Sequence, residues 1–126
     1  MTTVAQAGLV FVGGGTGACL RFFTGLWAAN RFGLDFPYGT LIVNVVGSLA
    51  IGLLLGYGLR EPARLLLITG ILGGFTTYSS FSAESIGLLQ SKTLGLALIY
   101  ICLTLVVCLG AAALGMAAGQ KLTTGV

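Results

Sequence analysis

Apolar residues fill four long stretches of the chain, and charged residues are confined to the gaps between these stretches or to their ends. The uncharged stretches cover residues 2–20, 36–59, 65–83 and 93–120. Each stretch is close to the roughly 20 residues that an α-helix needs to cross the hydrocarbon core of a bilayer. The pattern therefore predicts an all-α integral membrane protein with one domain, residues 1–126, and four transmembrane helices over residues 4–28, 38–59, 63–90 and 94–118.

The third stretch contains a segment that a plain spanning helix does not need. Residues 70–82 combine three glycines with six hydroxyl side chains. Glycine weakens a helix, β-branched Thr76 and Thr77 restrict it, and Ser and Thr side chains compete for backbone groups. We therefore predict a broken helix, interrupted near residues 73–79. Lipid offers no hydrogen bonds, so such a break must be packed in protein, line a water-filled path or hold an ion.

The second predicted helix has one polar or small face along its whole length. Thr40, Asn44, Ser48, Gly52 and Gly56 recur at four-residue spacing, which places them above one another on a helix. Contact between helices is sufficient to explain a Ser or Gly in a membrane. A side-chain amide is costly there unless its donors and acceptor are used, so Asn44 indicates the lining of a pathway.

The fourth predicted helix carries a second polar track. Tyr100, Thr104 and Cys108 lie on one face at four-residue spacing. Their hydrogen-bonding groups serve either to join helices or to line a path, and the spacing alone is compatible with both. 

Two charged residues lie well inside the predicted spans. Arg21 lies in the last third of the first helix, where it either snorkels to the interface or forms an electropositive vestibule that concentrates anions. Glu84 is the only acidic residue inside a predicted span. It lies either near a pore mouth or at the far interface.

Positive charge is balanced between the two sides of the predicted bundle. The N-terminus, the second loop and the C-terminus carry Arg60, Arg64 and Lys121, and the opposite side carries Arg21, Arg31 and Lys92. Three residues on each side leave little for the positive-inside rule to act on, which favours insertion in both orientations. Four helices of this size enclose little space for a path, so we expect an oligomer, most simply an antiparallel dimer.

Composition excludes several other classes of protein. The chain is 56% hydrophobic and 7% charged, with a mean hydropathy of +1.05, which excludes a soluble globular domain. Its net charge of +3 forms no basic run that would indicate nucleic-acid binding. The three cysteines have no Cys-x-x-Cys spacing and no histidine accompanies them, so neither zinc nor a disulfide is expected. No basic residue precedes the first apolar stretch, so we expect it to remain as a helix instead of being cleaved as a signal peptide.

Three segments meet in one order and together resemble the Fluc-type (CrcB family) fluoride ion channels of bacteria. They are Gly-Gly-Thr-Gly-Ala at residues 14–18, Pro-Tyr-Gly-Thr-Leu at residues 37–41 and Gly-Gly-Phe-Thr-Thr-Tyr-Ser-Ser-Phe-Ser at residues 73–82. The resemblance covers all four helices. It implies an antiparallel dual-topology homodimer in the inner membrane that exports fluoride passively through two pores and holds a structural sodium ion at its centre.

The same resemblance implies roles for individual residues. Backbone carbonyls of Gly73 and Thr76 would bind the sodium ion. Independently of the resemblance, the positions of Arg21 and Glu84 make them the candidate vestibule residues. The implied pore-lining residues are Thr40, Asn44, Tyr78, Phe81, Ser82, Tyr100, Thr104 and Cys108. Tyr78 stands where the family usually has Phe, and Cys108 where a hydroxyl is often found.

Three other functions fit parts of the sequence. A small dual-topology multidrug or cation exporter has a similar size, but its proton coupling requires an acid within a helix, typically the first, and residues 4–28 contain none. A cation channel with a carbonyl filter requires symmetry around a pore axis that an antiparallel dimer lacks. A membrane scaffold without transport leaves Asn44 and the hydroxyl cluster unexplained.

Overall fold

The computed structural model of the chain describes residues 1–91 and 93–125, and the regular elements within them are helical. They are α1 (Thr3–Phe32), α2 (Tyr38–Tyr57), a π-helix (Leu65–Leu72), α3 (Gly73–Phe75), α4 (Tyr78–Gln90) and α5 (Leu94–Thr124). Four segments are long and apolar enough to cross a membrane: Thr3–Phe32, Tyr38–Tyr57, Leu65–Gln90 and Leu94–Thr124. The prediction of an all-helical chain with four membrane-spanning segments is confirmed.

The first and last helices are longer than the bilayer core requires. α1 has 30 residues and α5 has 31, so each is about 45 Å long against a hydrocarbon thickness of about 30 Å. Both end at a glycine with positive φ, Gly33 at 85° and Gly125 at 68°, a conformation that favours glycine. They therefore extend beyond residues 28 and 118. Lys92, in the predicted third loop, lies outside the described residues.

Small residues let the helices approach each other at the backbone. The most extensive contact joins α2 to α5, and α1 packs on the π-helix and α3. A Cβ added to Gly52 would collide with the carbonyl of Ala112, and one added to Gly115 would collide with the carbonyl of Leu49. On the other side of the bundle, a Cβ on Gly13 would lie 2.6 Å from the carbonyl oxygen of Leu66. The glycines of α2 and α5 thus allow these two helices to pack closely, and Gly13 allows the same between α1 and the third span.

The third span changes conformation three times along its 26 residues. It begins as the π-helix, in which the amide of Gly73 donates to the carbonyl of Ile68 five residues earlier. After the short α3, Thr76 has ψ 156° and Thr77 has φ −150° and ψ 112°, so both are extended. These two residues lie near the middle of the span, and α4 begins directly after them. Backbone groups around them lose their helical partners at membrane depth.

Candidate functional site

Asn44 on α2 contacts the extended backbone of the third span. The amide of Thr77 donates to Oδ1 of Asn44 at 2.8 Å, and Nδ2 of Asn44 donates to the carbonyl oxygen of Thr77 at 3.0 Å. The side-chain amide thus satisfies both backbone groups of one extended residue, as a neighbouring strand would. Nδ2 carries two hydrogens, so one remains after this contact.

The next turn of the third span is held by a side chain of its own. Thr77 is the N-cap of α4, and its Oγ1 accepts from the amide of Ser80 at 3.1 Å. The same hydroxyl group lies 3.3 Å from Oγ of Ser79 and donates to Oγ of Ser80 at 3.1 Å. A threonine before a helix satisfies an amide that has no partner inside the helix. Thr77 is therefore the centre of the hydroxyl cluster, a role that the sequence did not assign to it.

Two backbone carbonyls lose their usual donors at this point. In a continuous α-helix, the amide of Thr77 would donate to the carbonyl of Gly73, and the amide of Ser80 to the carbonyl of Thr76. Both amides bond to side-chain oxygens instead. These are the two carbonyls to which the resemblance assigns a sodium ion, and carbonyl oxygens are hard ligands of the kind such an ion prefers. Gly73 is exposed on the surface of the protomer.

A groove of about 340 Å³, here called the central groove, lies beside the extended residues. Residues of α2, the third span and α5 line it, and five of the eight predicted pore residues are among them: Asn44, Tyr78, Phe81, Thr104 and Cys108. Gly73 and Thr76 also line it. The walls of the central groove are more apolar than polar. Its polar side chains are therefore the groups that could contact an ion.

Thr104 carries a buried hydroxyl without a protein partner. The residue is 6% exposed, and within the described part of the chain its Oγ1 makes no hydrogen bond. A buried hydroxyl usually has a partner, because leaving it unsatisfied costs about 1–3 kcal/mol. An unpaired donor beside the groove is therefore available to a small anion or a water molecule.

Aromatic rings form one side of the central groove and continue beyond it. The ring centroids of Tyr78 and Phe81 are 5.6 Å apart, and those of Phe81 and Tyr100 are 5.4 Å apart. Phe81 is 8% exposed and Tyr100 is fully buried, whereas Tyr78 is 78% exposed on the protomer. Tyr100 contacts Phe36 in the first loop at 5.5 Å, edge to face. The rings therefore connect the middle of the bundle with Phe36 in the loop between α1 and α2.

Glu84 has two close hydrogen-bond donors. Oγ1 of Thr40 donates to Oε1 at 2.7 Å, and the hydroxyl of Tyr100 donates to Oε2 at 2.7 Å. Glu84 and Thr40 also line a second cavity of about 370 Å³, here called the end pocket, which includes Asp35 of the first loop. The carboxylate thus faces the bundle at one end of the polar tracks of α2 and α5, and both of its oxygens are bonded.

Three of the predicted residues, all within the described ranges, are absent from the lining of these two cavities, and the buried Tyr100 described above is one of them. Arg21 is half-buried on α1 and is absent from the lining of both cavities within residues 1–91 and 93–125. Oγ of Ser82 donates to the carbonyl of Tyr78 at 3.0 Å, a bond within its own helix. Their functional roles stay predictions.

Gly47 on α2 was not among the predicted site residues. A Cβ there would collide with Cγ2 of Thr76, so the absence of a side chain lets the extended residue lie against α2. Its place in the Gly-Ser pair after Asn44 was the available signal.

Known proteins resemble this chain over most of its length. The model of the family described as CrcB-like protein, Camphor Resistance (CrcB), matches residues 8–116. A protein of Agrobacterium fabrum named fluoride-specific ion channel FluC is 44% identical over 119 residues, covering 90% of this chain and 95% of the relative. A protein of the same name from Sorangium cellulosum is also 44% identical, with 90% and 94% coverage. Another from Chloroflexus aurantiacus is 54% identical over 87 residues, 65% of this chain and 69% of the relative. The chain is therefore a multi-pass membrane protein that belongs to the CrcB family.

Proposed function

We propose that this protein is a fluoride-selective ion channel that lets cytoplasmic fluoride leave the cell passively across the bacterial inner membrane. The observation that carries the proposal is the unpartnered hydroxyl of Thr104 beside a groove that also contains Asn44 and Phe81. The names of the relatives support the same ion.

The chemistry of the central groove suits a small anion. An ion that loses its water needs hydrogen-bond donors, and the remaining N–H of Asn44 and the hydroxyl of Thr104 are available. The rim of an aromatic ring carries partial positive charge, so the buried ring of Phe81 is a further favourable neighbour. The described side chains that line the groove carry no full positive charge. Binding is then weak enough to release the ion, which a channel requires.

The working unit in this proposal is an antiparallel homodimer. The balanced positive charges favour insertion in both orientations. On one protomer, Tyr78 is 78% exposed although it lies near the middle of the third span, and Gly73 is exposed beside it. Polar backbone at that depth needs a covering surface that lipid does not supply. A second copy would cover it and complete the wall of each groove.

A structural sodium ion belongs to the same proposal. The carbonyls of Gly73 and Thr76 would hold it, since both have lost their helical donors and no charged side chain is needed. With the partner's matching carbonyls, two protomers would surround the ion with backbone oxygens. When bound, the ion would supply a positive charge that holds the two third spans together.

Ion efflux from liposomes tests the function. Purified protein is reconstituted into vesicles loaded with potassium fluoride or potassium chloride, and valinomycin is added to release the potassium counter-ion. We expect fluoride efflux without chloride efflux and without a proton gradient. Vesicles with Phe81→Ile are the matched control, since this variant keeps apolar bulk and loses the ring. Equal efflux of both anions, or none, would refute the proposal.

The same assay distinguishes the exporter. A proton-coupled exporter would move an organic cation only with a pH gradient and would leave the fluoride load in place. α1 carries no acidic residue, so nothing in the described structure favours that function.

A further inference from the structure

We propose that Asn44 and Thr77 are positioning residues that keep the third span open at residues 76–77 and thereby set its affinity for a cation. The contacts of Asn44 differ from those expected of a side chain devoted to an anion. Its Oδ1 accepts from the amide of Thr77 at 2.8 Å, and its Nδ2 donates to the carbonyl of the same residue at 3.0 Å. The inference rests on the sodium site of the proposed function.

The two side chains divert two amides that would otherwise close the helix. Asn44 takes the amide of Thr77 away from the carbonyl of Gly73, and Oγ1 of Thr77 takes the amide of Ser80 away from the carbonyl of Thr76. Each diversion frees one carbonyl. The freed pair is the same pair that would bind sodium, although neither Asn44 nor the Thr77 hydroxyl would itself touch the ion.

Packing favours the open conformation, but the hydrogen bonds of Asn44 and Thr77 determine whether it is more stable than the closed helix. The methyl group of Thr76 lies against α2 where Gly47 has no side chain. Without the Asn44 side chain, however, the buried N–H of Thr77 would have no acceptor, which is costly at membrane depth. It would then favour its helical acceptor, the carbonyl of Gly73. A closed helix has no free carbonyls at these positions. The apparent dissociation constant for the cation is therefore inversely proportional to the open fraction, which is the fraction of molecules whose third span is open at residues 76–77.

Asn44 consequently has two separable effects. One of its N–H groups remains for the central groove, and the other groups hold the third span. A measurement of cation binding made without fluoride reports the second effect alone.

The experiment titrates sodium chloride into purified full-length protein in detergent, with N-methylglucamine chloride keeping the ionic strength constant and fluoride absent. The unfolding temperature is followed, and fitting its rise to a stabilisation of RT ln(1 + [Na⁺]/Kd) gives the apparent dissociation constant for sodium, here called the sodium midpoint. We expect Asn44→Ala and Thr77→Val to raise this midpoint by at least about tenfold, as when a tenth of the molecules remain open. Thr77→Ser keeps the capping hydroxyl and therefore the open fraction, so its sodium midpoint should lie within about twofold of the wild-type value.

Thr104→Val is the second control, because Thr104 lies on α5 and has no bond to the third span. Its sodium midpoint should match that of the wild type. A wild-type midpoint in Asn44→Ala would overturn the inference and leave the proposed sodium site in place. A wild-type protein without any sodium response would overturn both, whereas the fluoride efflux assay judges the channel separately. If Asn44→Ala does not fold, the pair at Thr77 decides: equal midpoints for Val and Ser would overturn the inference.

Discussion

Replacing Thr104 by valine should change the stability of the protein and the passage of the ion in opposite directions. The hydroxyl is buried and has no partner among the described residues, so in the empty protein it is a cost of about 1–3 kcal/mol. Valine has nearly the same shape without the polar group, so the unfolding temperature should rise by a few degrees. If the hydroxyl donates to a permeating fluoride, a bond to a charged group worth about 1.5–3 kcal/mol is lost. Efflux should then fall by roughly 10- to 150-fold.

Ser85→Ala is the matched control for Thr104→Val. Ser85 is also 6% exposed, but its hydroxyl donates to the carbonyl of Phe81 at 2.7 Å and is therefore satisfied. Its removal should lower the unfolding temperature slightly and leave efflux near the wild-type rate. Both quantities are measured on the same preparations, by thermal unfolding in detergent and by valinomycin-triggered efflux. A Thr104→Val protein that conducts at the wild-type rate would show that the hydroxyl lies outside the pathway.

Three further changes test the rings, the helix contacts and the assembly. Phe81→Ile should reduce fluoride efflux about fivefold, since a ring edge worth about 1 kcal/mol is lost, and should change the unfolding temperature little because the apolar bulk is kept; efflux equal to that of the wild type would place the ring outside the path. Gly115→Ala should destabilise the protein by about 1–3 kcal/mol, because its Cβ would collide with the carbonyl of Leu49. The control is Gly110→Ala on the same helix, whose Cβ meets nothing within 4 Å and should not destabilise the protein. Equal unfolding temperatures of the two variants would refute the packing. Reporters fused to the C-terminus should report both compartments, and two lysines added to the loop before α5 should bias the orientation and lower efflux; a wild-type protein in a single orientation would exclude the antiparallel dimer.

The hydrophobic pattern was sufficient to predict the number of membrane-spanning helices, but it did not locate their ends. Charge and hydropathy mark where a chain leaves the hydrocarbon, whereas helical hydrogen bonds continue until the backbone turns. For α1 that turn is at Gly33 and for α5 at Gly125, both with positive φ. The residue at which a helix leaves the hydrocarbon is thus different from the residue at which the helix ends.

The candidate site could be predicted in its residue types and only partly in its contacts. The spacing of Asn44 and the polarity of the third span indicated that both matter. That the amide of Asn44 bonds to the backbone of Thr77 depends on how α2 approaches the third span, which Gly47 permits. The spacing likewise left Glu84 at either of two places, and its bonds to Thr40 and Tyr100 follow from three helices meeting.

The contact between α2 and α5 has a consequence for the order in which the helices can assemble. It is the most extensive contact of the protomer, yet it joins the second of the four membrane spans to the fourth. Until α5 enters the bilayer, Gly52 and Gly56 of α2 face lipid, which fits poorly into the cleft that the carbonyls of Ala112 and Met116 later fill. A chain that stalls or is cut before these residues therefore cannot complete the protomer. The close packing of α2 is thus completed late, when α5 enters the bilayer and its backbone reaches Gly52 and Gly56.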